Sequence, residues 1–486
     1  MVQLDRRTFL KGAAATAGVA ALGGPFSGFV SRADAVGGRP DFRRLRAVAD
    51  LRDGVERLAL PAGFQYRSFH DTSATITLND TTVLPGRHDG MAAFAGPGGS
   101  SVLIRNHEVN ANAEGAAFGP DGAWTYDPNA PGGCTHVEVS GTGEVASAFT
   151  ALNGTQMNCA VGRMPWVAWI TCEETVNGPD VGPDFTNFSN VLLTKPHGFI
   201  FEVPVEGRSN GQPIKSAGRF AHEATAFDPV NGILYLTEDN FEYRSGFYRY
   251  IPPSNPMDTG SLEDGGQLQM LAVKGIPNAD LAAEQRRRAT YEVEWVNIDD
   301  PAPEFPYTPG ETAPTPNDDA LQHVGLQGLA QGAAGFSRLE GAAYDRGVVY
   351  FTSTQGGGVS GGGPDPSTNG WGTGWGQVWA YKIEEGILQL IFQSPSRETL
   401  DFPDNVTTSP RGTIILCEDH DQDNFIRGLS KGGQLFTIAR NIMEGRTGDE
   451  FAGSTFSADG DTLFVNIQAS RGITFAIWGP WARIGV

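Results

Sequence analysis

The stretch Glu223-Ala224-Thr225-Ala226-Phe227-Asp228-Pro229-Val230-Asn231-Gly232-Ile233-Leu234-Tyr235-Leu236-Thr237-Glu238-Asp239 decides the fold. It opens on an acid beside a small residue. An Asn-Gly turn then separates two strand-like runs, the strongest short-range hairpin signal. The second run, Ile233-Leu234-Tyr235-Leu236, is continuously apolar, as in a strand buried on both faces. It closes on polar and acidic residues.

This pattern occurs six times, over residues 89–108, 158–174, 223–239, 340–354, 405–419 and 453–468. The other turns hold Pro97-Gly98-Gly99, Met164-Pro165, Arg346-Gly347, Arg411-Gly412 and Asp459-Gly460. A further strand often follows, such as Gly198-Phe199-Ile200-Phe201-Glu202-Val203 or Gly433-Gln434-Leu435-Phe436-Thr437-Ile438. Three or four strands per unit, repeated about six times, predict an all-β, six-bladed β-propeller with loop and short helical insertions. A large β-sandwich of unrelated hairpins is the alternative. In a propeller the polar starts of the repeats face the central channel. That gathers Asp89, Asn158, Glu223, Glu340 and Asn405 around one axis. The third and fourth copies start 117 residues apart. A proline-rich insertion is therefore expected over about residues 255–335, packed over one end or acting as a lid, with a helical piece near 280–288.

Composition narrows the function. The 486 residues include 64 Gly and 31 Pro, suited to many tight turns, and carry a net charge of −21. Phosphate backbones need clustered Lys and Arg, so nucleic-acid binding is excluded, as is an anionic membrane surface. A negative field suits calcium, which takes carboxylate and carbonyl oxygens. Four cysteines in so long a chain do not form a disulfide scaffold.

Asp5-Arg6-Arg7-Thr8-Phe9-Leu10-Lys11, a short Ala/Gly/Val run and an Ala33-Asp34-Ala35 cleavage site form a twin-arginine export signal over residues 1–35. Residues 36–486 are read as one propeller domain, exported through the twin-arginine machinery to the periplasm or the extracellular space. No later apolar run is long enough to span a membrane. The twin-arginine route carries folded proteins, often with a metal already inserted. Nothing suggests an obligate interface, so a monomer is expected.

Thr171-Cys172-Glu173-Glu174 ends a strand with a thiol beside two acids. Acids raise a thiol's pKa, whereas a metal deprotonates it outright. The segment is either a thiolate–carboxylate metal site or a buried cysteine followed by two surface acids; spacing leaves both open. Arg338-Leu339-Glu340-Gly341 places Arg and Glu on one side of an extended chain, suited to bidentate contact with a phosphate or carboxylate. Glu223, Asn106-His107-Glu108, Asp404-Asn405 and Glu418-Asp419 are further oxygen-rich points at strand ends. His222 is a ligand or simply a partner for a backbone carbonyl. No HExxH or zinc CxxC pair is present, and no Gly-x-Ser-x-Gly string has the strand–turn–helix setting of a nucleophile elbow. The Gly-rich stretch 356–376 lacks the context of a P-loop.

Several strings resemble the PhoX family of secreted alkaline phosphatases: Asn158-Cys159-Ala160, Pro165-Trp166, Thr171-Cys172-Glu173-Glu174, Arg338-Leu339-Glu340-Gly341, Leu416-Cys417-Glu418-Asp419, Phe451-Ala452-Gly453 and Phe464-Val465-Asn466-Ile467-Gln468. The resemblance covers essentially the whole mature chain. It implies a six-bladed propeller hydrolysing small-molecule phosphomonoesters at an iron–calcium cluster of Fe3+ and Ca2+. On the family pattern Cys172 would bridge two ferric ions. Glu173, Glu223 and Glu340 would hold iron and calcium, and Arg338 would face the phosphate, so Arg338, Cys172 and Glu340 form the expected catalytic set. Placement around the axis adds Asp404, Asn405 and Glu108 on the calcium side. This chain looks shorter than the longer members, which leaves substrate range and calcium number open. The rival readings are a calcium-dependent propeller lactonase or esterase, with Cys172 merely structural, and a non-enzymatic, calcium-stabilised binding propeller.

Overall fold

Each repeat folds as an antiparallel hairpin in the computed structural model, which describes residues 44–359, 364–365 and 370–486. The export signal and part of the 356–376 stretch lie outside these residues. The architecture is all-β and propeller-like, with few helices. One four-stranded sheet comprises His88–Ala95, Ser101–His107, Gly132–Val139 and Val145–Thr155. A three-stranded sheet comprises Asn158–Met164, Ala168–Glu173 and Ile200–Pro204. A second four-stranded sheet joins Glu450–Phe456, Thr462–Gln468 and Ile473–Trp478 to Gln65–Phe69 from the opposite end of the chain.

The remaining repeats merge into larger sheets. Pro403–Thr408, Ile414–Glu418, Phe425–Leu429 and Leu435–Asn441 gain Glu56–Leu60 and Arg46–Ala49 at their outer edge. The repeats starting at His222–Asp228 and Leu339–Asp345 form one nine-stranded sheet. Its link is Thr290–Asn297, which pairs with Gln267–Val273 on one side and Ile387–Gln393 on the other. The segment expected as a lid thus supplies two strands. In Thr290–Asn297, Tyr291, Val293 and Trp295 pack on the core while Glu292 and Glu294 face out, the period of a half-buried strand.

The helix expected near 280–288 is absent. Leu281 N–H donates to Gly335 O (2.9 Å) and Glu284 N–H to Gly358 O (2.7 Å), so tertiary pairing overrides the local Leu-Ala-Ala-Glu propensity. The helix lies instead at Asn317–Ala330, after Pro316 and with Asp318 and Asp319 in its first turn. Its Gly328 lies against Met270, where a side chain would collide, so the helix rides close on the sheet. Among the described residues no helix is long and apolar enough to cross a membrane.

The apolar runs are explained by what lies between the sheets. Along Ala168–Glu173, Trp169 enters a core with Phe94, Ile104 and Phe201. Ile170 and Cys172 enter another with Ile200, Phe220 and Leu236. Each middle strand serves two inter-sheet cores, so both its faces are apolar. The innermost strands His88–Ala95, Asn158–Met164, His222–Asp228, Leu339–Asp345, Pro403–Thr408 and Glu450–Phe456 pack each against the next, and the last against the first. They line a central cavity of about 620 Å³.

The ring is closed by Gln65–Phe69. Fully buried Tyr66 lies edge-on to Phe475 at 5.7 Å, and its hydroxyl accepts from Arg57 N–H (2.8 Å) and donates to Val48 O (3.1 Å). Tyr66→Ala should lower the unfolding free energy by about 3–5 kcal/mol, read by urea denaturation.

Candidate metal centre

All six innermost strands carry a register shift at the same end: His88/Met91, Asn158/Val161, His222/Thr225, Leu339/Ala342, Pro403/Val406 and Ala452/Thr455. A bulge re-aims side chains. The bulged pairs are Asp89-Gly90, Cys159-Ala160, Glu223-Ala224, Glu340-Gly341, Asp404-Asn405 and Gly453-Ser454. Four of these pairs set an acid or thiol beside Gly or Ala, which is the physical content of the acid-beside-small pattern. A side chain on Gly341 would strike the backbone of Val406 and Asp404, and one on Gly453 the carbonyl of Asp89. The small residue lets neighbouring innermost strands approach while the polar one points toward the axis.

Threonines of the middle strands fix the neighbouring bulge. Thr237 Oγ1 donates to Glu340 O (2.6 Å) and Thr352 Oγ1 to Asp404 O (2.7 Å). Asn466 Nδ2 donates likewise to Asp89 O.

The result is a chain of buried ligand atoms. Asp89, Glu108 and Cys159 bring one ligand atom each within 4.8 Å of one another, as do Cys159, Glu174 and Glu223. Glu223, Glu340 and Asp404 form a third such group, and Asp404, Asp419 and Glu450 a fourth. The groups overlap, so eight carboxylates and one thiol form a continuous acidic belt. Cys159 donates to Glu174 Oε2 (3.1 Å). Burial, then the carboxylates of Glu174, Glu223, Glu108 and Asp89, push its thiol well above the ordinary value. A metal ion would reverse that balance and take the thiolate.

Of the residues singled out in the sequence, Asp89, Glu108, Glu223, Glu340, Asp404 and Asp419 meet in this belt. Asn405 lies beside it, its Nδ2 donating to Asp404 Oδ1 (2.6 Å) and its Oδ1 accepting from Gly453 N–H (2.7 Å). Cys172 and Glu173 are in none of the four groups. Cys172 points into apolar core with Ile170, because alternate residues of a strand share a face. Glu173 accepts from His197 Nδ1 (2.6 Å) and from the amides of Gln156, Gly198 and Phe199 (3.0, 2.9 and 3.1 Å), which occupies its carboxylate in holding a loop. His222 stays outside as well: it bonds Gly218 O (2.9 Å), and burial lowers its pKa to about 3.

The belt's thiol is therefore Cys159, and its acid from the Thr-Cys-Glu-Glu segment is Glu174. Aligning the acid–small pairs would have found Cys159-Ala160 in the same column as Glu223-Ala224; taking Asn158 as the repeat start shifted the register by one. Glu450 and Arg87 carried no distinguishing signal.

Two arginines flank the belt. Arg338 donates to Asp239 (Nε to Oδ1 3.2 Å, Nη2 to Oδ2 2.9 Å) and to Glu340 Oε1 (2.7 Å), and its guanidinium lies 4.5 Å over the Phe241 ring. Arg87 binds both the carboxylate and the carbonyl of Glu108. Each precedes an innermost strand in a left-handed conformation, φ 41° and 49°. Non-glycine residues hold such φ values only where their surroundings enforce it.

A family model described as alkaline phosphatase PhoX matches residues 42–147 and 142–470. The chain belongs to the PhoX family. It is accordingly a metal-dependent phosphomonoesterase. A twin-arginine signal model matches residues 3–23, which directs the chain to export into the periplasm or the extracellular space. The fold is similar to that of Pseudomonas fluorescens PhoX in complex with vanadate, a transition-state analogue, with a TM-score of 0.61 at 16% identity, covering 90% of this chain and 97% of that one. A gluconolactonase from Xanthomonas campestris (TM-score 0.36, 11% identity, 82% and 97% covered) and virginiamycin B lyase from Staphylococcus aureus (0.38, 11%, 85% and 99%) resemble it more distantly. No curated protein matches.

His197 ties Glu173 to Asp127, with Nε2 3.6 Å from Asp127 Oδ2. Burial opposes its charge, but Glu173 and Asp127 hold its pKa up at about 9. Its stabilising contribution is thus complete below its unfolded pKa of about 6.5 and is lost as pH rises through about 9. The melting-temperature gap between the parent protein and His197→Gln should be largest near pH 6 and close by pH 10.

Proposed function

We propose that this phosphatase hydrolyses small phosphomonoesters at an iron–calcium centre held by the acidic belt. The observation that carries the reading is the fusion of four ligand groups through shared residues, with one thiol among eight carboxylates. Carboxylate oxygens suit Ca2+, and a thiolate among carboxylates suits Fe3+. We assign Cys159, Glu174 and Glu223 to iron together with Glu340. Asp89, Glu108, Asp404, Asp419 and Glu450 take calcium, with Asn405 orienting Asp404. This places Cys159 and Glu174 in the roles that the family resemblance had given Cys172 and Glu173. When bound, such a centre supplies Lewis acidity for phosphoryl oxygens and activates water.

The chain's own residues position the ester. Asp239 and Glu340 grip Arg338 from two sides and Phe241 backs it, so the guanidinium needs little reordering when it meets the charge that develops on equatorial phosphoryl oxygens. The similarity to a vanadate-bound phosphatase supports this role. Burial of the belt keeps the site dry and its electrostatics strong.

In the same reading residues 36–486 are one domain and a monomer. The nine-stranded sheet counts as two blades stitched by Thr290–Asn297, which makes a six-bladed propeller with its insertion at about 255–335.

The test is hydrolysis of p-nitrophenyl phosphate at alkaline pH, with iron and calcium measured on the same preparation. Cys159→Ala should lose iron and at least about 100-fold in activity, whereas Cys172→Ala should keep both. Arg338→Lys should lower kcat by about 100-fold with metal content unchanged. Calcium chelation should abolish turnover. Full activity in Cys159→Ala would refute the assignment. Metal-replete protein without turnover would favour a lactonase-like or binding propeller.

A further inference from the structure

Four arginines are buried among the described residues: Arg87, Arg105, Arg219 and Arg338. Three are neutralised by direct contact with acids: Arg87 by Glu108, Arg219 by Asp180 (2.6 and 2.8 Å) and Arg338 by Asp239 and Glu340. Arg105 is different. It is fully buried, and all its partners are uncharged or titratable imidazole: Nη1 donates to Thr474 Oγ1 (2.8 Å), and Nη2 to His70 Nδ1 (3.2 Å) and Thr135 Oγ1 (3.3 Å). Among the described residues its Nε finds no hydrogen-bond partner. Burial lowers its pKa to about 9, with no carboxylate acting to raise it, so it stays charged at neutral pH.

The surroundings add no negative charge. Thr135 Oγ1 also meets His107 Nε2 (3.0 Å), and Thr474 Oγ1 donates to Asn466 Oδ1 (2.6 Å). Arg105 lies on Ser101–His107, Thr474 on Ile473–Trp478, and His70 just after Gln65–Phe69, so the cation sits at the seam where the chain's two ends close the ring. An uncompensated buried charge is strongly destabilising, and at neutral pH this guanidinium keeps its proton and bears that cost.

We propose that Arg105 binds a small monovalent inorganic anion, a halide such as chloride, through its Nε, as the structural counter-ion of this seam. A single charge matches a single guanidinium. Sulfate and hydrogen phosphate carry more charge and more hydrogen-bond demand than the neutral surroundings meet.

The test uses the full, metal-loaded protein. At constant ionic strength, replacing gluconate by chloride from 1 to 100 mM should raise the melting temperature by about 2–4 °C, and Arg105→Met should remove that rise. A rise that persists in Arg105→Met places the anion elsewhere and overturns the proposal. Should that variant not fold, crystals of the parent soaked in bromide decide: an anomalous peak against Arg105 Nε supports it. A non-anomalous water there, or no density, overturns it, as does equal stability in chloride and gluconate.

Discussion

Eight carboxylates crowded into one buried belt repel each other when ionised, and the rest of the structure is arranged around that repulsion. Two like charges 4 Å apart cost about 4 kcal/mol at an effective dielectric constant of about 20. A few such pairs rival the entire net stability of a domain, about 5–15 kcal/mol. Arg87 and Arg338 offset part of it by direct contact with Glu108 and Glu340. The remainder is what protons, or the multivalent cations of the proposed centre, would offset. In the proposed reading, folding of the belt and metal loading are thermodynamically coupled.

The propeller-like ring imposes the proximity that the charges resist. Each innermost strand contributes a bulge at the same height, and hydrogen bonds from Thr237, Thr352 and Asn466 on middle strands fix the carbonyls of the bulged acids. Rigidity therefore comes from backbone pairing and from apolar cores between the sheets, not from the acids themselves. That division explains why Cys172 and Cys159, both buried, have opposite surroundings. One fills space between sheets, and the other stands at the bulge.

Much of this was legible in the chain. The hairpins follow from Asn231-Gly232, Arg346-Gly347 and their equivalents, and the gathering of Glu223, Glu340 and Asp404 follows from the repeat. The bulge was not legible as such: it adds one residue, and one residue reverses which side chains share a face. Spacing left the Thr-Cys-Glu-Glu segment open and the family resemblance gave Cys172 and Glu173, whereas Glu174 is the residue of that segment grouped with Cys159 and Glu223. Thr290–Asn297 shows the same limit at larger scale. Its alternation was visible, but the flanking prolines drew attention to loop character, and only the pairing on both edges makes it a structural strand.

Asp89 opens the first innermost strand, yet its carbonyl and carboxylate are held by Asn466 and Gln468, near the other end of the chain. A ribosome must deliver almost the entire polypeptide before the first metal ligand has its partners. Nascent or truncated chains cannot finish the belt, so loading discriminates complete molecules from fragments. For a protein sent across a membrane already folded, a belt that holds metal as proposed would certify full-length synthesis.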